Sequence, residues 1–224
     1  AADIGEALVQ LGVGECLVAG VSTGAPYALA IASVLGPRVR RVILAGGIAG
    51  PEVLETAGGV ALVLSLLGRR RSRAGRLLHQ MMKLALAARL DRRFLALAVD
   101  SERAALERLG ASPEVVRVRL LQSLRAGSRR QNLRGALADA RLVAQPWDFV
   151  PDEIQNEVHV LHGAEDPVVP PIHAHWYAAH LPRAHLELVP DELHMSLCIR
   201  SAAHLQHAVK ELTAMRSDLE PVGC

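Results

Sequence analysis

The chain has 224 residues, and 50% of them are hydrophobic, which is enough for the core of one domain or of one domain with a large insertion. Only 3% are aromatic, so that core must be built mainly from Leu, Val and Ala. A formal net charge of +2 is too small to argue for a nucleic-acid or anionic-membrane partner.

The first predicted elements are a helix and a buried strand. Residues 3–11 place apolar side chains on one face of a helix, and glycines follow them. A short apolar run over residues 16–19 has the size of a buried strand. Residues 25–35 then have the pattern of a helix, and the five residues before it are Gly20-Val21-Ser22-Thr23-Gly24, a G-x-S-x-G motif. This motif predicts a nucleophile when it lies in a tight turn between a strand and a helix, with the serine at the tip of the turn.

The turn at Ser22 has features that suit covalent chemistry. Glycine is expected at both Gly20 and Gly24, because a turn this sharp brings backbone against backbone and a side chain at either position would clash. The Ser22 hydroxyl is then lifted clear of the sheet, and the Thr23 backbone N–H lies at a helix N-terminus, where a developing oxyanion is favoured. The motif also fits an ordinary strand-to-helix turn with a capping serine, so it needs partners elsewhere in the chain.

A second strand and a long helical segment follow. Residues 39–44 are predicted to form a second buried strand, and the G-G-x-x-G run at Gly46 to Gly50 lacks the spacing of a dinucleotide loop. Residues 52–145 have a helical pattern without a strand candidate. We therefore expect a helical lid over residues 52–145, inserted between two core segments at residues 1–51 and 146–224.

Within this insertion the pattern predicts several helices. The clearest are expected over residues 53–67, 76–90 and 131–143, with an arginine-rich solvated turn between the first two. Ser101 and Ser112 have the character of helix N-caps, and the second is followed by Pro and Glu in the favoured first turn. The apolar helix faces either line a ligand pocket or form a helical core.

Strands return after the insertion. Residues 158–161 and 186–189 are strand candidates, with a helix over residues 172–181 between them. A loop over residues 191–194 and a closing helix over residues 201–215 complete the chain. This alternation of strands and helices predicts a mostly parallel α/β sheet.

Three polar side chains follow predicted strands and should therefore meet at one edge of the sheet: Ser22, Asp166 and His194. A serine hydroxyl needs a base within hydrogen-bond reach to act as a nucleophile, and an imidazole titrates in the right range to take and return that proton. A carboxylate on the other ring nitrogen fixes the tautomer and stabilises the imidazolium. The chain order Ser, acid, His is the one expected for this type of sheet.

These motifs resemble those of α/β-hydrolase-fold proteins of the lidded type. The residues that carry the resemblance are Gly20-Val21-Ser22-Thr23-Gly24, His162-Gly163-Ala164-Glu165-Asp166-Pro167-Val168-Val169-Pro170 and Pro190-Asp191-Glu192-Leu193-His194. The resemblance implies that Ser22 is the nucleophile, His194 the general base and Asp166 the carboxylate that orients it. Glu165 and Asp191 stay open as alternative acids, and His162 is expected to support the turn that aims Asp166.

The same resemblance implies a function. It points to a serine hydrolase that cleaves an ester, thioester or amide of a hydrophobic or acyl-bearing small molecule through an acyl-enzyme, without a cofactor or metal. A cofactor-free acyltransferase with the same residues and a non-catalytic binding protein of this fold stay open. Asp at the elbow, which dehalogenase and epoxide hydrolase relatives carry, is replaced here by Ser22.

The sequence departs from the family pattern in two respects. Leu193 stands where the family usually has Gly before the catalytic His, and a branched side chain there could tilt the loop or narrow the site. The strands that precede the elbow in the family, together with their second oxyanion donor, have no counterpart here. We therefore expect a partial α/β-hydrolase fold, a fragment or a half completed by another chain, with the elbow strand left as an apolar edge.

The remaining signals concern metals and location. His173, His175 and His180 fall on one predicted helix, but the first two are two positions apart and point to different faces, which argues against a shared metal. Three cysteines without C-x-x-C spacing and no recognisable signal peptide indicate a reducing, cytoplasmic location. The longest apolar stretch, residues 57–67, is too short to span a bilayer. Self-association is left open.

Overall fold

The structure of the protein is a computed structural model, and it describes residues 2–54, 77, 80, 81, 91–131 and 134–217. Four strands in this part of the chain form one parallel sheet in the order β1-β2-β3-β4; they are β1 (Cys16–Val21), β2 (Val39–Ala45), β3 (Val158–Gly163) and β4 (Ala184–Val189). Each strand extends slightly beyond its predicted bounds. Because the strands are parallel, their carboxyl ends share one edge of the sheet. The prediction of a mostly parallel α/β sheet is confirmed.

The amino-terminal elements connect the first two strands. Helix α1 (Ala2–Gln10) leads into β1, and a 3₁₀ turn, Ser22–Gly24, leads from β1 into α2 (Ala25–Leu35). Pro26 occupies the first turn of α2, where its missing N–H costs nothing, and Gly36 follows the helix with a positive φ of 53°. The second strand then begins after a short 3₁₀ turn.

The described part of the segment between β2 and β3 contains helices and no strand, as expected. These helices are α3 (Pro51–Leu54), α4 (Asp91–Ser101), α5 (Arg103–Arg108), α6 (Pro113–Gln131) and α7 (Arg134–Val143). The predicted helices over 53–67 and 76–90, and the arginine-rich turn between them, lie almost entirely outside the described residues.

The two serines predicted as helix caps in the insertion behave differently. The Ser112 Oγ accepts the N–H of Val115 at 3.4 Å, so Ser112 is an N-cap of α6. Ser101 is not a cap, and that prediction was wrong. It is the last residue of α4, and its hydroxyl donates to the Ala98 carbonyl at 2.8 Å, because a serine inside a helix can bond back to the preceding turn.

The last two helices flank β4. Helix α8 (Ile172–His180) lies between β3 and β4, and helix α9 (His194–Ser217) follows β4. The closing helix was predicted to start at Ser201, and this was wrong by seven positions. Ser201 lies inside the helix, where its hydroxyl donates to the Cys198 carbonyl at 2.7 Å instead of capping. His194 is consequently the first residue of a helix and not part of a loop.

Two apolar clusters cover the two faces of the sheet. Alternate residues of β2 divide between them, because neighbouring side chains of a strand point to opposite faces. Val42 and Leu44 pack with α2 and α8, whereas Ile43 packs with Leu197 of α9. Burial of each side chain of this size contributes about 1.5–3 kcal/mol to the free energy of unfolding. The sheet is therefore packed on both faces. In the described part of the chain, no helix is long and apolar enough to cross a bilayer.

Candidate active site

The turn after β1 holds Ser22 in a constrained backbone conformation. Ser22 has a φ of 54°, in the left-handed region that non-glycine residues seldom adopt. A Cβ on Gly20 would lie 2.6 Å from the Gly24 carbonyl oxygen, so glycine is required there. Gly24 itself has open space around its Cα and a right-handed φ of −75°, so the expected clash at that position was wrong. The Ser22 carbonyl accepts the N–H of Ile48 at 3.1 Å, which ties the turn to the loop after β2.

The three residues singled out by the sequence lie in hydrogen-bond contact. The Oγ of Ser22 is 3.1 Å from Nε2 of His194, and Nδ1 of His194 is 2.7 Å from Oδ2 of Asp166. An ionised carboxylate can only accept, so Nδ1 carries the proton and donates to Asp166. Nε2 is then left with a lone pair that can accept the Ser22 hydroxyl proton. We call this arrangement the Ser22–His194–Asp166 array.

The Asp166 carboxylate is fixed by its own loop. Asp166 is buried, and its Oδ1 accepts the backbone N–H groups of Val168 at 2.8 Å and Val169 at 2.9 Å, which leaves Oδ2 directed at His194. The Nε2–H of His162 donates to the Val169 carbonyl at 2.7 Å on the same loop. Burial lowers the pKa of His162, so this ring is neutral and its contribution is to the shape of the loop.

The acid that contacts the imidazole is Asp166 and neither of the alternatives. Glu165 and Asp191 are both exposed, and the carboxylate hydrogen-bonded to His194 belongs to Asp166. Thr23 lies in the 3₁₀ turn that leads into α2, so its backbone N–H is at the amino end of that helix. Its role as an oxyanion donor stays a prediction.

Two glycines shape the site, and sequence reasoning missed both. Gly46, at the end of β2, has a φ of 55°, and a Cβ there would lie 3.2 Å from Cε1 and Nδ1 of His194. A Cβ on Gly163, the last residue of β3, would lie 2.3 Å from the Glu192 carbonyl oxygen. Both glycines thus leave room for the histidine and the segment before it. The only local signal was their place at the carboxyl ends of strands, since a glycine carries no chemistry of its own.

The histidines considered for metal binding occupy unlike surroundings. His173 is buried and its Nδ1 accepts the Ala49 N–H at 3.0 Å, whereas His175 is exposed. Burial lowers the pKa of His173 to about 4, so it is neutral. The Nδ1–H of His180 donates to the Trp176 carbonyl at 2.9 Å. The first two residues therefore point in different directions, as expected for positions two apart in a helix.

A separate set of potential metal ligands lies toward the opposite edge of the sheet. One ligand atom each from Glu157, His159 and His185 falls within 4.8 Å of the others, because His159 of β3 lies beside His185 of β4. Arg41 also approaches the Glu157 carboxylate, at 3.4 Å. The Nε2–H of His159 donates to Glu157 at 2.8 Å, and this bond lowers the pKa of the carboxyl group. The group is thus held by a hydrogen bond from His159 and an ion pair from Arg41, and only the strand register could have revealed it.

No protein-family model and no curated protein matches the sequence. Solved structures do match. The chain is similar to BpoC from Mycobacterium tuberculosis H37Rv at 20% identity and a TM-score of 0.58, over 95% of this chain and 72% of that one. It is similar to a hydrolase from Pseudomonas aeruginosa PA01 at 20% identity and a TM-score of 0.56, over 94% and 69% of the two chains. It is also similar to a thermophilic esterase from Thermogutta terrifontis at 18% identity and a TM-score of 0.53, over 95% and 70%.

At such identities the similarity speaks for the fold and not for the chemistry. The matches extend over nearly the whole chain, and the order of strands and helices agrees with the resemblance carried by the three sequence motifs. The chain therefore has the α/β-hydrolase fold, represented in its described residues by a four-stranded parallel sheet.

Proposed function

We propose that the protein is a serine hydrolase that cleaves an ester, thioester or amide of a hydrophobic small molecule through an acyl-enzyme. The observation that carries this proposal is the Ser22–His194–Asp166 array, with 3.1 Å and 2.7 Å between its members. The positive φ of Ser22 supports it further, because strained backbone concentrates at functional sites. The solved structures named above as a hydrolase and an esterase agree with it.

The geometry suggests how acylation would proceed. Ser22 Oγ attacks the substrate carbonyl carbon while Nε2 of His194 takes the hydroxyl proton. The resulting oxyanion lies near the amino end of α2, where the Thr23 N–H can donate to it. The bond to the leaving group then breaks, His194 returns the proton to that group, and the acyl chain remains on Ser22.

Deacylation repeats these steps with water. Nε2 of His194 takes a proton from a water molecule, whose oxygen attacks the acyl carbon. Collapse of the second tetrahedral intermediate breaks the bond to Ser22 Oγ and returns the proton to it. Throughout, Asp166 keeps its own charge and holds the imidazole in the productive tautomer.

Apolar residues pack around the turn that carries Ser22. Ile48, whose N–H donates to the Ser22 carbonyl, belongs to an apolar cluster with Leu54, Val143 and Val169. That cluster joins the loop after β2, the insertion and the Asp166 loop. Its members are buried, so they anchor the turn, and the hydrophobic substrate is proposed from the resemblance of the sequence motifs.

The first prediction tests Ser22 directly. A fluorophosphonate probe should label the wild-type protein, and Ser22→Ala should reduce labelling and ester hydrolysis by about 10³-fold or more, because the nucleophile is lost. Ser33→Ala is the matched control, since Ser33 lies exposed on α2 and its hydroxyl donates to the Ala30 carbonyl. Labelling that persists in Ser22→Ala would exclude Ser22 as nucleophile. An unlabelled wild-type protein that still binds hydrophobic esters would instead favour a binding protein.

A further inference from the structure

The helix that begins with His194 has no capping side chain of its own. Leu193 is its N-cap residue, because the Leu193 carbonyl accepts the first helical hydrogen bond, from the N–H of Leu197 at 3.2 Å. A capping side chain normally accepts the N–H of the second or third helical residue, here Met195 or Ser196. Leucine offers no acceptor, so the first turn of α9 must be satisfied from elsewhere.

The missing acceptor comes from the helical insertion. Glu102 lies at the break between α4 and α5 and is 1% exposed. Its carboxylate accepts the N–H of Met195 at 2.8 and 3.0 Å and the N–H of Ser196 at 2.9 Å. These are the two N–H groups that a local cap would serve. An anionic acceptor at the amino end of a helix is also favoured by the helix dipole.

The cap explains an otherwise costly burial. A buried carboxylate needs hydrogen-bond partners to offset its lost hydration. Burial raises the pKa of Glu102, while the N–H groups of Met195 and Ser196 and the neighbouring His194 counteract that rise. The reciprocal half of the cap is local, since Ser196 Oγ accepts the Leu193 N–H at 3.0 Å.

A second contact from the insertion reaches the other side of His194. The guanidinium of Arg108, at the end of α5, donates to the Asp191 carbonyl. The insertion therefore holds the backbone both before His194, at Asp191, and after it, at Met195. Along the chain, His194 lies between these two points of attachment.

We propose that Glu102 is a positioning residue, which fixes the first turn of α9 so that His194 stays within reach of Ser22 and Asp166. The inference rests on the proposed function and deepens it. Glu102 acts through the backbone that follows the imidazole, and its hydrogen bonds from Met195 and Ser196 are the means. A residue of the insertion then contributes to the placement of His194.

The test is Glu102→Gln. One carboxylate oxygen accepts both N–H groups, and the other also accepts Met195 at 3.0 Å. Glutamine keeps the shape of the side chain but loses the charge and turns an NH₂ group toward the Met195 N–H, where two donors repel. Since small misplacements can cost about 10²-fold in rate, we expect fluorophosphonate labelling and kcat to fall about 10- to 100-fold, with KM changed less than about threefold. Glu107→Gln, the same change at an exposed glutamate of α5, should leave both unchanged.

A second-site variant separates positioning from general stability. Leu193→Asn places an acceptor at the N-cap itself, so Glu102→Gln/Leu193→Asn should recover at least about tenfold of the lost labelling rate, or folding if the single variant does not fold. A rate for Glu102→Gln equal to wild type would overturn the inference. So would a slow Glu102→Gln variant that Leu193→Asn does not rescue. An unlabelled wild-type protein would instead defeat the proposed function, which keeps the two failures distinguishable.

Discussion

At the scale of single residues, Gly46 places the sharpest constraint on the site. An alanine there would adopt a φ of 55°, which costs about 1 kcal/mol, and its Cβ would press on the His194 ring from 3.2 Å. We predict that Gly46→Ala displaces the imidazole from Ser22 and lowers the fluorophosphonate labelling rate about 10- to 100-fold. Labelling kinetics and thermal unfolding of the same samples measure the two effects separately.

Gly36→Ala is the control for this substitution. Gly36 has a similar φ of 53°, but an added Cβ there would meet no atom within 4 Å. With a ψ of −127° its conformation is one that only glycine adopts readily, so Gly36→Ala should also lose stability but leave the labelling rate unchanged. Equal labelling losses in the two variants would mean that backbone strain, and not contact with His194, is responsible.

The contact among Ser22, His194 and Asp166 was predictable because each of them lies in a local motif. Ser22 follows a strand and precedes a helix, and Asp166 and His194 each follow a strand, so the sheet topology alone predicts that they share an edge. Gly46 and Glu102 could not be predicted in this way. Gly46 matters for the space it leaves, and Glu102 for a contact with residues far along the chain, and neither produces a local pattern.

At the scale of elements, helix α8 is attached to the loop after β2 by a histidine that must stay neutral. His173 Nδ1 accepts the Ala49 N–H, and burial lowers the pKa of His173 from 6.5 to about 4. As the pH falls from 6.5 towards 4, the unfolded chain binds a proton at this position and the folded chain does not, so stability is lost across that window.

His173→Asn tests this dependence. Asparagine retains an acceptor but does not titrate, so the free energy of unfolding should fall less steeply between pH 6.5 and 4, although the smaller side chain lowers stability at neutral pH. Urea unfolding at a series of pH values measures the slope. His175→Asn, at an exposed position of the same helix, should keep the wild-type slope. A wild-type slope in His173→Asn would contradict the assignment.

The bounds of the elements show which signals are local. The strands were predicted because each contains several apolar residues over a strand length, and most residues of β2 and β3 are buried. The predicted start of α9 was wrong because its N-cap residue is Leu193, whose side chain cannot accept a hydrogen bond. The acceptor for the first turn is Glu102, which lies in the insertion. Local sequence can identify a helix, whereas a cap supplied by a distant segment is visible only in the fold.

At the scale of the whole molecule, the two outer strands of the sheet, β1 and β4, differ in character. Strand β4 presents exposed His185 and Glu187, and charged or polar side chains on an edge discourage pairing with another sheet. Strand β1 has no charged residue and, within the described residues, pairs only with β2. Its Val21 is 40% exposed. An apolar edge with unpaired backbone groups is a surface on which a second sheet can add.

We therefore expect the 224-residue chain to self-associate through β1 as its concentration rises. Ala19→Lys adds a charge at an exposed position of this strand and should weaken association about fivefold, which corresponds to about 1 kcal/mol for an unfavourable charge between paired strands. Val34→Lys adds the same charge to the exposed face of α2 and should leave association unchanged. Sedimentation velocity across a concentration series measures both. A wild-type protein that stays monomeric throughout, or equal effects of the two lysines, would mean that the β1 edge does not drive assembly.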